Sequence, residues 1–365
     1  MKMKDSITQS SQSGTRLVIC FVLLFAMIQV VHPLHAATPA TQHVFRIQNE
    51  WNIGGDGGWG HLSLDSATHQ LYIPRNSHVM VVDTETGKLS GEVEGLKNTR
   101  GIALDDSGKY GYVTDPTDGT AGFVRVFDRS SLKLVASIPT GLVPATIAFD
   151  PTTKHVFAFN SHSQSATVID SVTNQAIATF PLPGRPANVV VDGSGHAFVI
   201  LPAIAEVARI DTAGANANKV TASWQLAPCT GPSGLAIDAK RRQLFTTCED
   251  HKLVVIDADS GHLTDLGNAP TAPGDMQFDP QQDLLFIADA VGKVAIYHRE
   301  STTRYSQLPP VQTRPGARTM VFSSQQDKAY LVTSKFGKNT ATASEELQFR
   351  PTPVPGTFSV IVIGR

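Results

Sequence analysis

The sequence predicts an all-β fold, a seven-bladed β-propeller built from four-stranded antiparallel blades. A unit of four short strand-like runs, clearest in residues 142–184, repeats along the chain. An aspartate closes the first strand of each unit and recurs every 40 to 46 residues, which is the period of a four-stranded blade. The chain also has 29 Gly and 22 Pro and no long helical periodicity, which favours strands and turns over helices.

The unit at 142–184 predicts strands at 146–149, 155–160, 166–169 and 176–180, because these runs are rich in Val, Ile, Phe and Thr. Turn-forming residues separate them. The first run is nearly all apolar, which predicts a strand buried on both faces, whereas the later runs alternate more.

Two series of aspartates mark the strand ends. The first series closes the first strands and comprises Asp65, Asp105, Asp150, Asp192, Asp238 and Asp279, with Ser323 in the seventh position. The second series follows the third strands and comprises Asp83, Asp128, Asp170, Asp211 and Asp257. Aspartate caps a turn by accepting hydrogen bonds from backbone N–H groups two residues on. We therefore interpret both series as structural rather than catalytic.

The seventh unit holds only three strands before the chain ends, and a spare strand lies upstream at 44–53. A ring in which the N-terminal strand completes the last blade leaves no open sheet edge. The sequence therefore predicts closure of the last blade by the N-terminal strand, with residues 38–365 forming one domain. We also expect a monomer.

Residues 1–37 read as a cleaved signal peptide. Lys2, Lys4 and Arg16 precede an apolar run at 17–31, and Ala36-Ala37 offers small residues for cleavage. The alternative is a membrane anchor, for which this run is short. The prediction is a periplasmic or secreted protein with no membrane span after cleavage.

Charge and cysteines fit that location. The formal net charge is −2 and the sequence has no basic stripe, which argues against nucleic acid as a partner.

Cys229 and Cys248 remain after the leader is removed, and they predict a disulfide. Both would lie at one end of adjacent strands in the fifth blade. Two buried free thiols are the alternative.

Aligning the channel strands by their aspartates places His61, Asn188 and Asp275 at one level near the axis. Arg100 and Arg318 lie one residue earlier in their units. This set suits a small anion such as a carboxylate or phosphate. The alternative is that a solvated channel is simply polar. The ends of second strands would add more polar groups to this face: Arg75, Asp115, Asn160, Glu249 or Asp250, and Asp289.

Motifs for catalysis or for a bound cofactor are missing. The sequence has no H-x-H, H-E-x-x-H, C-x-x-C-H or G-x-S-x-G pattern, so we predict no metal, no cofactor and no catalytic residue. The glycine-rich run at 54–58 lacks the Lys-Ser/Thr of a phosphate loop and reads as a flexible entry to the first channel strand. Residues 335–356 predict a long loop in the last blade, either a lid or docking element or a passive excursion.

Several segments resemble one known family. Tyr112-Val113-Thr114-Asp115, the run at 54–59, Trp224 through Cys229 and the C-terminal segment at 316–358 are similar to the YVTN class of bacterial β-propellers, and specifically to the exported YncE-like family. The resemblance covers the mature chain. It implies a seven-bladed exported propeller in a family whose members mostly lack an assigned activity, although one type is associated with single-stranded DNA.

The chain departs from that family at the channel mouth. Arg100-Gly101 stands where many relatives have a His before the Gly, and Pro144-Ala145 and Pro186-Ala187 lack the acidic residues common there. The leading hypothesis is a non-catalytic binding scaffold for an unknown protein or small ligand. The alternatives are a lactonase-type hydrolase with an axial metal, which rests on fold analogy, and single-stranded DNA binding.

Overall fold

The computed structural model describes residues 44–117, 120–337 and 352–365, and its strands form seven four-stranded antiparallel sheets. This is the seven-bladed all-β propeller that the sequence predicts. The predicted leader at 1–37 and most of the loop at 335–356 lie outside the described residues and stay predictions. Within the described ranges, no helix is long and apolar enough to cross a membrane.

The strands follow in chain order. Strand β1 (Arg46–Asn52) opens the described chain and belongs to the last blade. Blade 1 contains β2 (Ser63–Asp65), β3 (Gln70–Arg75), β4 (His78–Asp83) and β5 (Leu89–Val93). Blade 2 contains β6 (Ile102–Leu104), β7 (Tyr110–Asp115), β8 (Gly122–Asp128) and β9 (Leu134–Thr140). Blade 3 contains β10 (Pro144–Asp150), β11 (His155–Asn160), β12 (Ser165–Asp170) and β13 (Gln175–Pro181).

Blade 4 contains β14 (Val189–Val191), β15 (His196–Leu201), β16 (Glu206–Asp211) and β17 (Lys219–Gln225), with a short 3-10 turn at Pro202–Ile204. Blade 5 contains β18 (Ser233–Asp238), β19 (Gln243–Thr247), β20 (Lys252–Asp257) and β21 (Leu263–Asn268). Blade 6 contains β22 (Pro273–Asp279), β23 (Leu284–Asp289), β24 (Lys293–Arg299) and β25 (Tyr305–Gln312). Blade 7 contains β26 (Thr319–Ser323), β27 (Lys328–Thr333) and β28 (Ser359–Gly364).

The N-terminal strand closes the ring as predicted. Strand β1 pairs antiparallel with β28, with Trp51 opposite Val360, and the sheet order is β26-β27-β28-β1. The two ends of the described chain therefore hold one blade together, and no blade is left with three strands.

The core lies between blades. Seven clusters of buried apolar side chains each join two consecutive blades around the ring. The middle strands of a blade carry most of these side chains. In blade 3, β11 and β12 are buried along nearly their whole length, whereas β10 has part-exposed residues between buried ones. The expectation of a first strand buried on both faces is wrong, because this strand borders the channel while the middle strands have neighbours on both faces.

The aspartates cap turns, as predicted. The Asp65 carboxylate accepts a hydrogen bond from the Ala67 N–H at 3.0 Å, and Asp257 accepts one from the Ser260 N–H at 2.7 Å. We call the face of the ring that carries these turns the turn face. The opposite face, where first strands begin and second strands end, is the mouth face.

Tryptophans in outer strands lock neighbouring blades on the turn face. Trp51 of blade 7 lies so close to Gly87 of blade 1 that a Cβ there would be 2.5 Å from the indole ring. Trp224 of blade 4 packs in the same way on Gly261 of blade 5, at 2.1 Å. Both glycines have positive φ, +69° and +74°. Glycine is therefore needed at both positions, because it adopts the backbone conformation of the turn and leaves room for the indole ring.

Candidate functional site at the channel mouth

Backbone hydrogen bonds between adjacent blades build the mouth of the channel. The His61 N–H donates to the Arg100 carbonyl and the Asp275 N–H donates to the Arg318 carbonyl, both at 2.8 Å. The preceding residues are Gly60 and Gly274, where a Cβ would come within 1.7 and 2.0 Å of those carbonyl oxygens. Glycine is therefore required before His61 and Asp275, and this contact fixes both residues at the mouth.

His61 and Asp275 form a pair across blade 7. Their Nδ1 and Oδ1 atoms are 3.1 Å apart, and the other oxygen of Asp275 accepts a hydrogen bond from the Met320 N–H at 3.1 Å. The side chain of His61 is 48% exposed and that of Asp275 is 14% exposed. The Asp275 charge raises the pKa of His61 above its ordinary value, opposed by burial and by the Arg318 charge. The pair therefore favours a cationic imidazole at the mouth.

A cavity of about 460 Å³ lies between His61 and blades 3 and 4. Five of its lining residues are polar or charged: His61, Thr146, Ser161, Arg185 and Asn188. Much of the remaining wall is made of small or rigid apolar residues: Ala145, Pro186, Ala187, Pro202 and Ala203. We call this space the central cavity. A few polar groups on an apolar wall is the composition typical of a small-molecule site.

A second cavity, of about 350 Å³, adjoins the central cavity towards blade 2. We call it the side cavity. The two cavities share Ala145, Ser161 and Arg185, and Arg100 and His162 also line the side cavity. Among the described residues, neither cavity is lined by an aspartate or a glutamate. The two spaces together are therefore lined by basic and neutral side chains.

The structure distributes the five predicted ligand-binding residues over this region. His61 and Asn188 line the central cavity, and Arg100 lines the side cavity. Asp275 contacts the far side of His61, and Arg318 lies close enough to influence the charge of His61. Ligand binding by these five residues stays a prediction.

Arg185 is the residue that sequence reasoning missed. It lies in the loop before β14 and belongs to both cavities. Its side chain is exposed, and the described residues provide it with no ion pair or hydrogen bond. The alignment by aspartates could not find it, because it stands three residues before Asn188 and outside the aligned level.

Several second-strand ends are structural rather than available to a ligand. Arg75 is 1% exposed and donates to the carbonyls of Asp56 at 2.7 Å and of Gly57 and Gly58 at 3.1 Å. The run at 54–58 is thus held by a buried guanidinium, which corrects the expectation of a flexible entry. Asp289 likewise accepts the Ala272 N–H at 3.1 Å.

Asp115 and Asn160 are likewise structural. Both are fully buried. The Asp115 carboxylate accepts the Asn98 N–H at 3.0 Å, and the Asn160 amide donates to Ser165 and Thr167 hydroxyls at 3.1 Å. Glu249 and Asp250 are exposed on blade 5, away from the residues that line the two cavities.

The predicted disulfide is present. Cys229 and Cys248 are bonded with an S–S distance of 2.09 Å, and each is 1% exposed. The bridge joins the loop entering β18 to the end of β19, and so it fixes the mouth end of blade 5.

The described base of the long loop is anchored on the mouth face. Phe336 forms a bridge with Pro353, and the Val354 N–H donates to the Lys335 carbonyl at 2.8 Å. The Phe336 ring lies 6.2 Å from the Trp59 ring, centroid to centroid. The role of the loop at 335–356, as a lid, a docking element or a passive excursion, stays a prediction.

In the part of the chain that the structure describes, no three His, Cys, Asp or Glu side chains come together in a way that could hold a metal ion. His61 and Asp275 would offer two ligands where a tight site needs more. The residues therefore do not fit the axial metal of the lactonase alternative.

Comparison with known proteins supports the fold and a distant relationship. No protein-family model matches the chain. A segment of 147 residues is 24% identical to the uncharacterized protein YncE of Salmonella typhimurium, and the match to YncE of Salmonella typhi has the same length and identity. The match covers 38% of this chain and 40% of each relative, so it spans less than half of the curated relatives.

Two solved structures share the fold. A chain of Kuenenia stuttgartiensis hydrazine synthase superposes with a TM-score of 0.67 at 18% identity, over 76% of this chain and 93% of that one. The structure of U3-55K superposes with a TM-score of 0.66 at 11% identity, over 87% of this chain and 98% of that one. At these identities the likeness shows the propeller architecture alone.

Proposed function

The chain is a distant YncE-like β-propeller, and from this premise we propose that it is an exported, non-catalytic binding protein whose channel mouth takes a small ligand. The observation that carries the proposal is the central cavity of about 460 Å³. Its volume is within the range of pockets that enclose small molecules.

Contacts within the protein hold the His61 ring and the Asn188 backbone in place before any ligand arrives. Asp275 fixes the His61 ring from one side at 3.1 Å. The Asn188 carbonyl accepts the Ile200 N–H at 3.0 Å, which ties the Asn188 backbone to blade 4. A site whose donors are fixed in advance loses less entropy when the ligand binds.

The hydroxyl groups near the cavity do not form a nucleophile with its base. The Ser161 hydroxyl donates to the Val143 carbonyl at 3.1 Å, so its proton is directed to the backbone rather than to a histidine. The Nδ1 atom of His61 faces Asp275. These contacts support binding over acyl transfer, which needs a base within hydrogen-bond reach of the nucleophile.

Isothermal titration of the purified exported protein tests the proposal. The probes are butyrate, succinate, inorganic phosphate and glucose at fixed ionic strength. We expect at least one probe to bind with one-to-one stoichiometry and to stay chemically unchanged by NMR after prolonged incubation. The variant A145W fills the wall that both cavities share and should weaken binding by about tenfold or more. The matched variant A215W, on an exposed turn of blade 4, should bind like the wild type.

Three results would overturn the proposal. The first is an absence of binding for every probe, or equal binding by A145W and wild type. The second is hydrolysis of gluconolactone above the uncatalysed rate, which would favour the lactonase alternative. The third is tight binding of a thymidine oligonucleotide with a steep loss of affinity in salt, which would favour single-stranded DNA.

A further inference from the structure

We propose that the ligand is a short aliphatic dicarboxylate that lies across the central and side cavities, with one carboxylate on Arg185 and the other at the Arg100 and His162 end of the side cavity. This inference rests on the proposed function and adds the chemical class of the ligand. Its starting point is that the two cavities share Ala145, Ser161 and Arg185. The two spaces are therefore neighbours, and the proposal places one ligand across both.

Charge at this place favours an anion. Arg185 lies on the shared wall with an exposed guanidinium and without an ion pair among the described residues. Several other arginines of the ring have ion pairs, such as Arg125 with Asp115 at 3.2 Å. A guanidinium presents its N–H groups as a fork that matches the two oxygens of a carboxylate. Arg185 is therefore the anchor that a carboxylate would find unoccupied.

A second anionic end has its own donors. In the side cavity, Arg100 and His162 supply a guanidinium and an imidazole. In the central cavity, His61 and Asn188 supply an imidazole and an amide. Donors thus stand on both sides of Arg185. A ligand whose single carboxylate binds Arg185 would not reach Arg100 and His162.

The wall between the donors favours a hydrocarbon chain. Ala145 faces both cavities, and Pro186, Ala187 and Ala203 line the central one. Covering methylene groups with small apolar surfaces of this kind removes apolar area from water, which is favourable. Inorganic phosphate would leave this surface uncovered. The chemistry therefore fits two carboxylates on a short methylene chain.

Titration with a matched series tests the class of ligand. The probes are succinate, glutarate and adipate against butyrate and inorganic phosphate, at fixed ionic strength. We expect at least one dicarboxylate to bind about tenfold more tightly than butyrate. R185Q should weaken every carboxylate, and R185K, which keeps the charge but not the fork, should recover part of the affinity.

R100Q provides the sharper measurement. It should lower the affinity for the dicarboxylate about tenfold and that for butyrate far less. R46Q, an exposed arginine on the outermost strand of blade 7, is the matched control and should change neither affinity. Thermal unfolding of each variant shows that the ring is intact.

The outcomes separate the two proposals. If butyrate binds, A145W abolishes its binding and no dicarboxylate binds more tightly, the dicarboxylate inference is wrong and the binding function stands. Equal effects of R100Q on both ligand types, or tighter binding of phosphate than of every dicarboxylate, would also overturn it. If no probe binds to the wild type, the proposed function fails as well.

Discussion

On the turn face, two arginines form ion pairs with carboxylates of the preceding blade. On the mouth face, two arginines form no ion pair with the described residues. Arg129 of blade 2 pairs with Asp65 of blade 1, and Arg242 of blade 5 pairs with Asp192 of blade 4. On the mouth face, Arg185 and Arg318 are exposed, and the described residues provide them with no ion pair. Arg129 and Arg242 therefore join blades on the turn face, whereas Arg185 and Arg318, on the mouth face, have no ion pair within the described ranges.

This difference separates stability from binding. Removing a buried carboxylate that accepts several hydrogen bonds lowers the free energy of unfolding, because its donors are left without a partner. An exposed arginine without a partner adds little to the free energy of unfolding. Substitutions on the turn face should therefore lower stability, and those on the mouth face should chiefly change ligand affinity.

The largest expected effect is that of G261A on the turn face. A methyl group there would be 2.1 Å from the Trp224 ring, at a residue with a φ of +74°. We expect the free energy of unfolding to fall by about 3 kcal/mol, from the clash together with the left-handed backbone. Urea denaturation of the variant and the wild type measures the change.

G214A is the matched control for G261A. Gly214 lies in the corresponding turn of the neighbouring blade with a φ of +79°, and nothing lies within 4 Å of a Cβ there. G214A should lower the free energy of unfolding by about 1 kcal/mol, from the left-handed backbone alone. Equal losses for the two variants would show that the packing of Trp224 on Gly261 does not stabilise the ring.

A smaller loss is expected for D192N. The Asp192 carboxylate is fully buried, and it accepts the Ser194 N–H at 2.8 Å and contacts His196 Nδ1 at 2.8 Å and the Arg242 guanidinium. D192N should lower the free energy of unfolding by about 2 kcal/mol. D259N removes a 59% exposed partner of the same arginine and should cost about 0.5 kcal/mol or less. Urea denaturation near neutral pH compares the two.

The stability that Asp192 contributes to the fold should be lost at acidic pH. Burial raises the pKa of Asp192, but hydrogen bonds from Ser194, Arg242 and His196 outweigh it and hold the pKa at about 2. A lowered pKa contributes stability that is present above the ordinary value of 3.8 and is lost as the pH falls through about 2. The difference between wild type and D192N should therefore shrink on acidification. A difference that stays constant down to about pH 2 would contradict this assignment.

The fold was predictable because its signals are local. Asp65 and Asp257 each cap a turn within three residues of themselves. The spacing within each aspartate series therefore gives the blade period directly. The closure of blade 7 by β1 followed from the need to cover a sheet edge. The burial of first strands was misjudged, because an apolar run does not tell whether its neighbour is another blade or the channel.

The site was harder to predict, because a cavity forms where side chains are small. Ala145, Ala187 and Ala203 carry no chemical signal of their own, yet they help to line the space. Arg75 and Arg185 are the same residue type at the mouth face. One is buried under backbone carbonyls and the other is exposed to both cavities. Only the packing of the loops distinguishes them.

The smallest effect on stability is expected from H61Q at the mouth. Asp275 raises the pKa of His61 above 6.5, while burial and Arg318 lower it. A raised pKa contributes stability that is present below the ordinary value and is lost as the pH rises through the value in the folded state. Because the His61 side chain is 48% exposed, solvent screens the pair, and we expect a contribution of about 0.5 kcal/mol or less.

Urea denaturation of wild type and H61Q at about pH 5.5 and about pH 8.5 measures this contribution. The wild type should be the more stable protein at the acidic pH, and the difference should vanish at the alkaline pH. H262Q, at an exposed histidine of blade 5 without an ion pair among the described residues, is the control and should show no such change. A difference that grows with pH would mean that repulsion by Arg318 outweighs attraction by Asp275. A loss as large as that of D192N would show that the mouth face also carries the stability of the ring, and the division between the two faces would be wrong.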